Sequence, residues 1–165
     1  LDFQARPCST RAVKRRLMDY RDNDRRYDNQ VERLQNLTDK MYTMRIPELS
    51  DMPRTPSTVK DRVSVMVAQK DEVERDLQSL RDHQKNERAW IELVTGRLKN
   101  PDEQTVILVR YVDGESWNDV LTMLYGSKED FREKEESYRR QTMRLHKRAI
   151  SKIADAINRE WPTLW

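Results

Sequence analysis

Apolar positions recur at helical spacing along almost the whole chain, and nowhere in sustained alternation. From Ser9 to about Arg45 they fall at Val13, Leu17, Tyr20, Tyr27, Val31, Leu34, Met41 and Met44. The intervals are mostly those of a coiled-coil stripe, which predicts one long helix. Asp24 interrupts the stripe between Tyr20 and Tyr27, and Ser9 or Thr10 is placed to cap its start. The stretch IPELSDMPRTPS carries Pro47, Pro53 and Pro56 and reads as a loop. A second helix is expected from a cap at Ser57 or Thr58 to about Leu98. Its stripe is Val59, Val63, Met66, Val67, Val73, Leu77, Leu80, Trp90, Ile91, Val94 and Leu98. Helices of roughly 35–40 residues would be about 50–60 Å long. The short connection makes them an antiparallel hairpin.

Asn100-Pro101 marks the next boundary. A helix follows from Asp102 to Val112, with Val106, Ile107 and Tyr111 as core positions. Asp113-Gly114 is a turn. Ser116 then caps a short helix, with Asp119 three residues on as a capping-box partner. Trp117, Val120, Leu121 and Leu124 face inward, and Gly126 ends the helix. Ser127 with Asp130 reads as a further cap, opening a long helix from Lys128 to about Arg159 that Pro162 stops ahead of an aromatic tail. The buried stripe of that last helix is Tyr138, Thr142, Leu145, Ala149, Ile153 and Ile157. The expected fold is all-α, with a long helical hairpin in residues 1–99 and a second helical domain in residues 100–165.

Composition supports this picture. Charged residues make up 37% of the chain and the mean hydropathy is −1.03. That is too polar for a thick core and suits long exposed helices with narrow apolar stripes. Three glycines and two phenylalanines in 165 residues argue against a β-rich fold. Cys8 is the only cysteine, which excludes an intramolecular disulfide and a cysteine-based metal set and fits a reducing, cytoplasmic setting. No apolar run approaches the ~18 residues of a membrane span, and no signal-type core opens the chain. Because the sequence begins at Leu1, a missing initiator Met or short leader is expected.

The formal net charge is only +3, so its distribution matters more than its total. The segment SYRRQTMRLHKRAISKI carries Arg139, Arg140, Arg144, Lys147, Arg148 and Lys152, and no acid lies between Ser137 and Ala154. A helix that buries one face and presents arginines on another can enter a major groove and meet phosphates and base edges. The preceding run VILVRYVDGESWNDVLTML contains Arg110-Tyr111 and the Asp113-Gly114 turn, and the basic segment ends in Arg148-Ala149-Ile150. In these features residues 101–153 resemble region 4 of the sigma-70 family, the helix-turn-helix that reads the promoter −35 element. With LSDMPRTPSTVKDRVSVMVA and RLHKRAI, the chain from about 45 to 155 is similar to small sigma-factor-like proteins of phages and prophages in Gram-positive bacteria.

The resemblance implies that Arg139, Arg140, Met143 and Arg144 face the DNA groove, while Lys147, Arg148 and Lys152 lie further on and suit phosphates. It implies double-stranded DNA as ligand, host RNA polymerase as a candidate partner, and sequence-specific transcription regulation, most simply activation. The other sigma regions needed to melt a promoter are not expected, so the resemblance does not imply a complete sigma factor. One departure stands out. Between Gly126 and Ser137 the chain inserts SKEDFREKEE, with five acids against three bases. Acids facing DNA would repel phosphate, so the insert must project away from it or meet a partner.

The residues themselves leave two other readings open: a phage small terminase subunit, and a purely structural coiled-coil protein. No catalytic signature, cofactor motif or metal set occurs, and an enzyme is not expected. His146 could contact phosphate or hold a neighbouring helix. His83 reads as a polar interruption of the hairpin, and Asp71, Glu72, Glu74 and Asp76 as a solvated face. The cluster Arg11, Lys14, Arg15 and Arg16 is either an exposed helix end or a contact to DNA or an acidic protein. A lone hairpin with diluted stripes buries little apolar area. It needs either the C-terminal segment folded onto it or a second copy, and a homodimer is the expectation.

Overall fold

The first helix begins where its cap is placed: Ser9 Oγ accepts a hydrogen bond from Ala12 N at 3.1 Å. The structure is a computed structural model that describes the backbone of residues 7–45 and 56–161, and the side chains of 7–43 and 62–161. Met44, Val59, the proposed caps Ser57 and Thr58, the proline loop and the end of the aromatic tail lie outside those side chains. The described residues form α1 (Thr10–Arg45), α2 (Pro56–Thr95), α3 (Pro101–Ile107), α4 (Trp117–Tyr125) and α5 (Glu135–Glu160), with no strand among them. The chain is therefore all-helical, with α1 and α2 packed against each other. None of these helices is long and apolar enough to cross a membrane.

Local chemistry sets most boundaries. Asn100 Oδ1 accepts from Asp102 N at 2.9 Å, with Pro101 at the first helical position. Ser116 and Asp119 close a reciprocal capping box: Ser116 Oγ accepts from Asp119 N, and Asp119 Oδ2 accepts from Ser116 N. Gly114 takes φ +75°, open to glycine without strain. Between these caps α3 widens into a π-helical turn, Leu108–Val112, whose Asp113 N bonds Leu108 O.

Three expectations need correction. α2 ends at Thr95 rather than Leu98, although Leu98 stays buried through the following turn. Val67 is exposed, because α2 turns Met66, Val73 and Leu77 inward and the next residue along lies about 100° away from Met66. The last helix starts at Glu135, not Lys128, and Ser127 is not its cap. Residues 126–134 form consecutive turns in which Phe131 N bonds Lys128 O. The aromatic residues account for the turns. Tyr125 stacks on Tyr138 with ring centroids 4.6 Å apart, and Phe131 stacks on the same ring at 6.3 Å. Gly126 is required by contact rather than by handedness, since a Cβ there would collide with the Thr122 carbonyl oxygen.

The chain divides into two compact units, residues 1–22 with 86–165, and residues 23–85. The first joins the root of the α1/α2 pair to everything that follows it. One core cluster brings Val13, Leu17 and Tyr20 of α1 against Ile91 and Val94 of α2, Ile107 and Tyr111, and Ile150, Ile153 and Ile157 of α5. A second packs Val106, Val109, Val120, Leu121, Tyr125, Tyr138 and Leu145. Adjacent residues of α3, Val106 and Ile107, serve the two clusters, so α3 is the shared partition. Polar clasps close the same unit. Arg16 makes a bidentate ion pair with Glu87 at 2.6 and 2.8 Å and lies 3.9 Å over the Trp90 ring. Cys8 N donates to Asn158 Oδ1 at 2.6 Å, and Asn158 Nδ2 donates to Cys8 O at 2.9 Å. Burial pushes the Cys8 thiol above its ordinary value, as for an inert structural cysteine.

The second unit is thinner. Met66, Val73 and Leu77 are buried, whereas Tyr27, Val31, Leu34, Leu37 and Met41 are only half-buried.

Candidate nucleic-acid interface

α5 is amphipathic in the way its sequence dictates. Every expected stripe residue, Tyr138, Thr142, Leu145, Ala149, Ile153 and Ile157, is buried. The Thr142 hydroxyl is spared desolvation by donating to Tyr138 O at 3.0 Å. With one face fixed by packing, the opposite face is fixed in solvent.

The seven residues singled out from the sequence fall into three groups. Arg139 and Arg140 are exposed and each pairs with an acid one turn earlier: Arg139 with Glu135 at 3.1 Å, Arg140 with Glu136 at 3.5 Å. These acids belong to the end of the acidic insert, so the insert screens the first cationic turn of α5. Solvent-exposed pairs of this kind are worth ~0.3–0.5 kcal/mol and exchange readily for another anion. Met143, Arg144 and Lys147 are exposed, and among the described residues neither Arg144 nor Lys147 has an ion-pair partner. Arg148 and Lys152 are turned inward at their tips. Lys152 Nζ meets both carboxylate oxygens of Glu103, at 2.8 and 2.9 Å, and Arg148 Nε lies 3.8 Å from the same group.

Glu103 was not among the residues singled out. Its side chain is 1% exposed. Its position three and four residues before the core pair Val106 and Ile107 places it on their face, which is the signal the sequence carried. A buried carboxylate requires cations, and α5 supplies them. Beside this pair lies a groove of about 690 Å³, bordered by Asn100, Asp102, Tyr125, Gln141, Arg144 and Arg148.

Three more residues of the insert make local contacts. Asp130 accepts from the Tyr138 hydroxyl at 2.7 Å and pairs with Lys134 at 2.8 Å; the lysine first, and the hydroxyl second, hold its carboxyl below the usual range. Lys128 lies over the Tyr125 and Tyr138 rings.

His146 does what the second of its two readings anticipates. Its Nε2 is 2.9 Å from the Tyr111 hydroxyl, and its ring meets Trp117 edge-on at 4.9 Å. It ties α5 to the π-helical turn and to α4. Burial first, and the fields of Lys14 and Arg110 second, lower its pKa to about 4, so the ring is neutral at ordinary pH. Among the described residues no three His, Cys, Asp or Glu side chains are grouped to hold a metal ion.

No family model, curated protein or solved structure matches this chain.

Proposed function

We propose that this protein binds double-stranded DNA through the solvent face of α5 and regulates transcription as a phage-type factor, most simply as an activator acting with host RNA polymerase. The supporting observation is the pairing of a locked and an open face on one helix. Tyr138, Leu145, Ala149 and Ile153 hold α5 rigidly, while Arg144 and Lys147 project into solvent without an acid to satisfy them among the described residues. An arginine so placed can bind guanine bidentately, and lysine suits phosphate. The order α3, α4, α5 and the resemblance to sigma-70 region 4 favour a helix-turn-helix in which α5 is the reading helix. The turns of residues 126–134 separate α4 from α5, and within them Asp130 is held in a local pair with Lys134. In this reading Arg139 and Arg140 exchange Glu135 and Glu136 for DNA, and the thin unit of residues 23–85 receives a second copy of the chain.

The experiment is selection of a target from random duplexes, followed by titration of Arg144→Ala on the selected site. The variant is expected to lose about 1–3 kcal/mol there and to relax preference at one base pair. Failure of the intact chain to enrich any sequence would remove the sequence-specific reading.

A further inference from the structure

Three cations from two separate parts of the chain lie within electrostatic range of the Tyr111–His146 pair. Arg110 stacks over Trp117 at 4.9 Å, and its Nη1 donates to Glu115 O at 2.6 Å. An aromatic face and a backbone carbonyl therefore hold the guanidinium, and no carboxylate among the described residues neutralises it. Lys14 and Arg21 arrive from α1. Each follows a buried residue, Val13 and Tyr20, that packs in the same cluster as Tyr111. Seven residues apart on one helix, they share a face. His146 lies in the fields of Lys14 and Arg110, and Tyr111 in those of Arg110 and Arg21. Among the described residues no acid pairs with Lys14, Arg21 or Arg110.

Their neighbours behave differently. Arg16 is fully engaged by Glu87 and Trp90, and Arg15 faces Asp19 at 4.0 Å. The basic start of α1 is thus divided, with part consumed by the fold and part left uncompensated next to α5. Arg21 acts on Arg110 as a like charge, and like charges in range of one another with no counter-ion among the described residues raise the energy of the free protein, which an incoming anion relieves. α5 adds Lys147 one residue beyond His146, and Met143 three before it. The cationic surface is therefore shared by α1, the π-helical turn and α5, all within one compact unit.

We infer that Lys14, Arg21 and Arg110 form a phosphodiester-binding clamp, through which the root of α1 grips the backbone of the duplex that α5 reads. This rests on the DNA-binding reading above and extends it. The stretch of α1 from Lys14 to Arg21 becomes part of the nucleic-acid interface. The contact is sequence-independent, because one lysine and two arginines placed at the duplex backbone address phosphate charge and not base edges.

The test uses the full chain and a mixed-sequence duplex of about 30 base pairs, titrated across a range of salt. Lys14→Gln with Arg21→Gln should lower the slope of log affinity against log salt by about 2, one for each phosphate that the variant no longer neutralises. Affinity should fall in parallel for unrelated sequences. Arg21→Lys should restore part of the slope. Arg15→Gln, which removes a charge outside the clamp, should leave it unchanged. Circular dichroism and thermal melting establish that each variant is folded. If the α1 double variant keeps the wild-type slope while an Arg144→Ala, Lys147→Ala variant loses binding, the clamp is overturned and the α5 reading stands. If the wild-type chain binds no duplex at low salt, both fall.

Discussion

Lys152 and Glu103 form a bidentate ion pair whose acid is completely buried and whose base is half in water. The asymmetry decides which partner depends on the other. Lys152 can return to solvent, whereas Glu103 without its lysine would keep a buried charge and only a distant Arg148. Lys152→Ala should therefore destabilise the fold by about 2–4 kcal/mol, and Glu103→Gln by about 1–2 kcal/mol. Chemical denaturation measures both. If Arg148 and Lys152 also meet phosphate, Glu103→Gln frees them and should tighten duplex binding even as it weakens the fold. A Glu103→Gln protein that loses stability and DNA affinity together would assign these two cations to structure alone.

His146 gives the fold an acid-sensitive term. The folded ring resists protonation down to about pH 4, so as pH falls from about 6.5 the unfolded chain binds the proton first. The stability owed to the neutral ring is fully present above pH 6.5 and drains away between there and pH 4, by up to roughly 3 kcal/mol. The lowered carboxyls of Asp119 and Asp130 act only at still lower pH. Unfolding free energy measured at pH 7, 5.5 and 4.5 should drop across this window. His146→Gln, which keeps a polar group near the Tyr111 hydroxyl, should flatten the drop.

Thr95 is 3% exposed, and its Oγ1 is buried without a hydrogen-bond partner among the described residues. Thr95→Val removes that unsatisfied hydroxyl and keeps the branched shape. Stability should rise by about 1 kcal/mol, read as a higher denaturation midpoint with an unchanged slope.

Leu77 is buried and Leu80 half-buried in the thin unit, which has little core of its own. If a second copy completes it, Leu77→Asp with Leu80→Asp should convert a dimer to monomer in sedimentation. The α5 unit should stay folded, with His146 still resisting protonation. A wild-type chain that sediments as a monomer at high micromolar concentration would instead leave the hairpin for a different partner, such as polymerase.

Much of this architecture could be read from spacing and caps. The α5 stripe, the Ser116–Asp119 box and the breaks at Asn100 and Gly126 are local, and local rules place them. What escaped depends on residues distant in sequence. Phe131 lies on the same helical stripe as Tyr138, so a helix from Lys128 is a sound local expectation. The stack of Tyr125 on Tyr138 overrides it. The candidate site shows the same division. The exposure of Arg144 and Lys147 follows from periodicity, but the capture of Lys152 by Glu103 joins residues 49 apart. The shared reach of Lys14 and Arg110 to His146 is equally invisible along the chain.

The Cys8–Asn158 clasp joins residues 150 apart, and it constrains the order of folding. α1 presents Val13, Leu17 and Tyr20 long before α5 exists to cover them, so during synthesis the root of the hairpin waits with an open apolar side. Closing so long a loop costs only slightly more than closing a shorter one, since the entropy grows as the logarithm of length. The delay is what matters, because exposed stripes invite premature association. Among the described residues, the two core clusters of the first unit are built from residues 8–20 and 90–161. The length of chain made between these two stretches sets the wait, and a chain with that length shortened should reach its folded state sooner while keeping the same α5 surface.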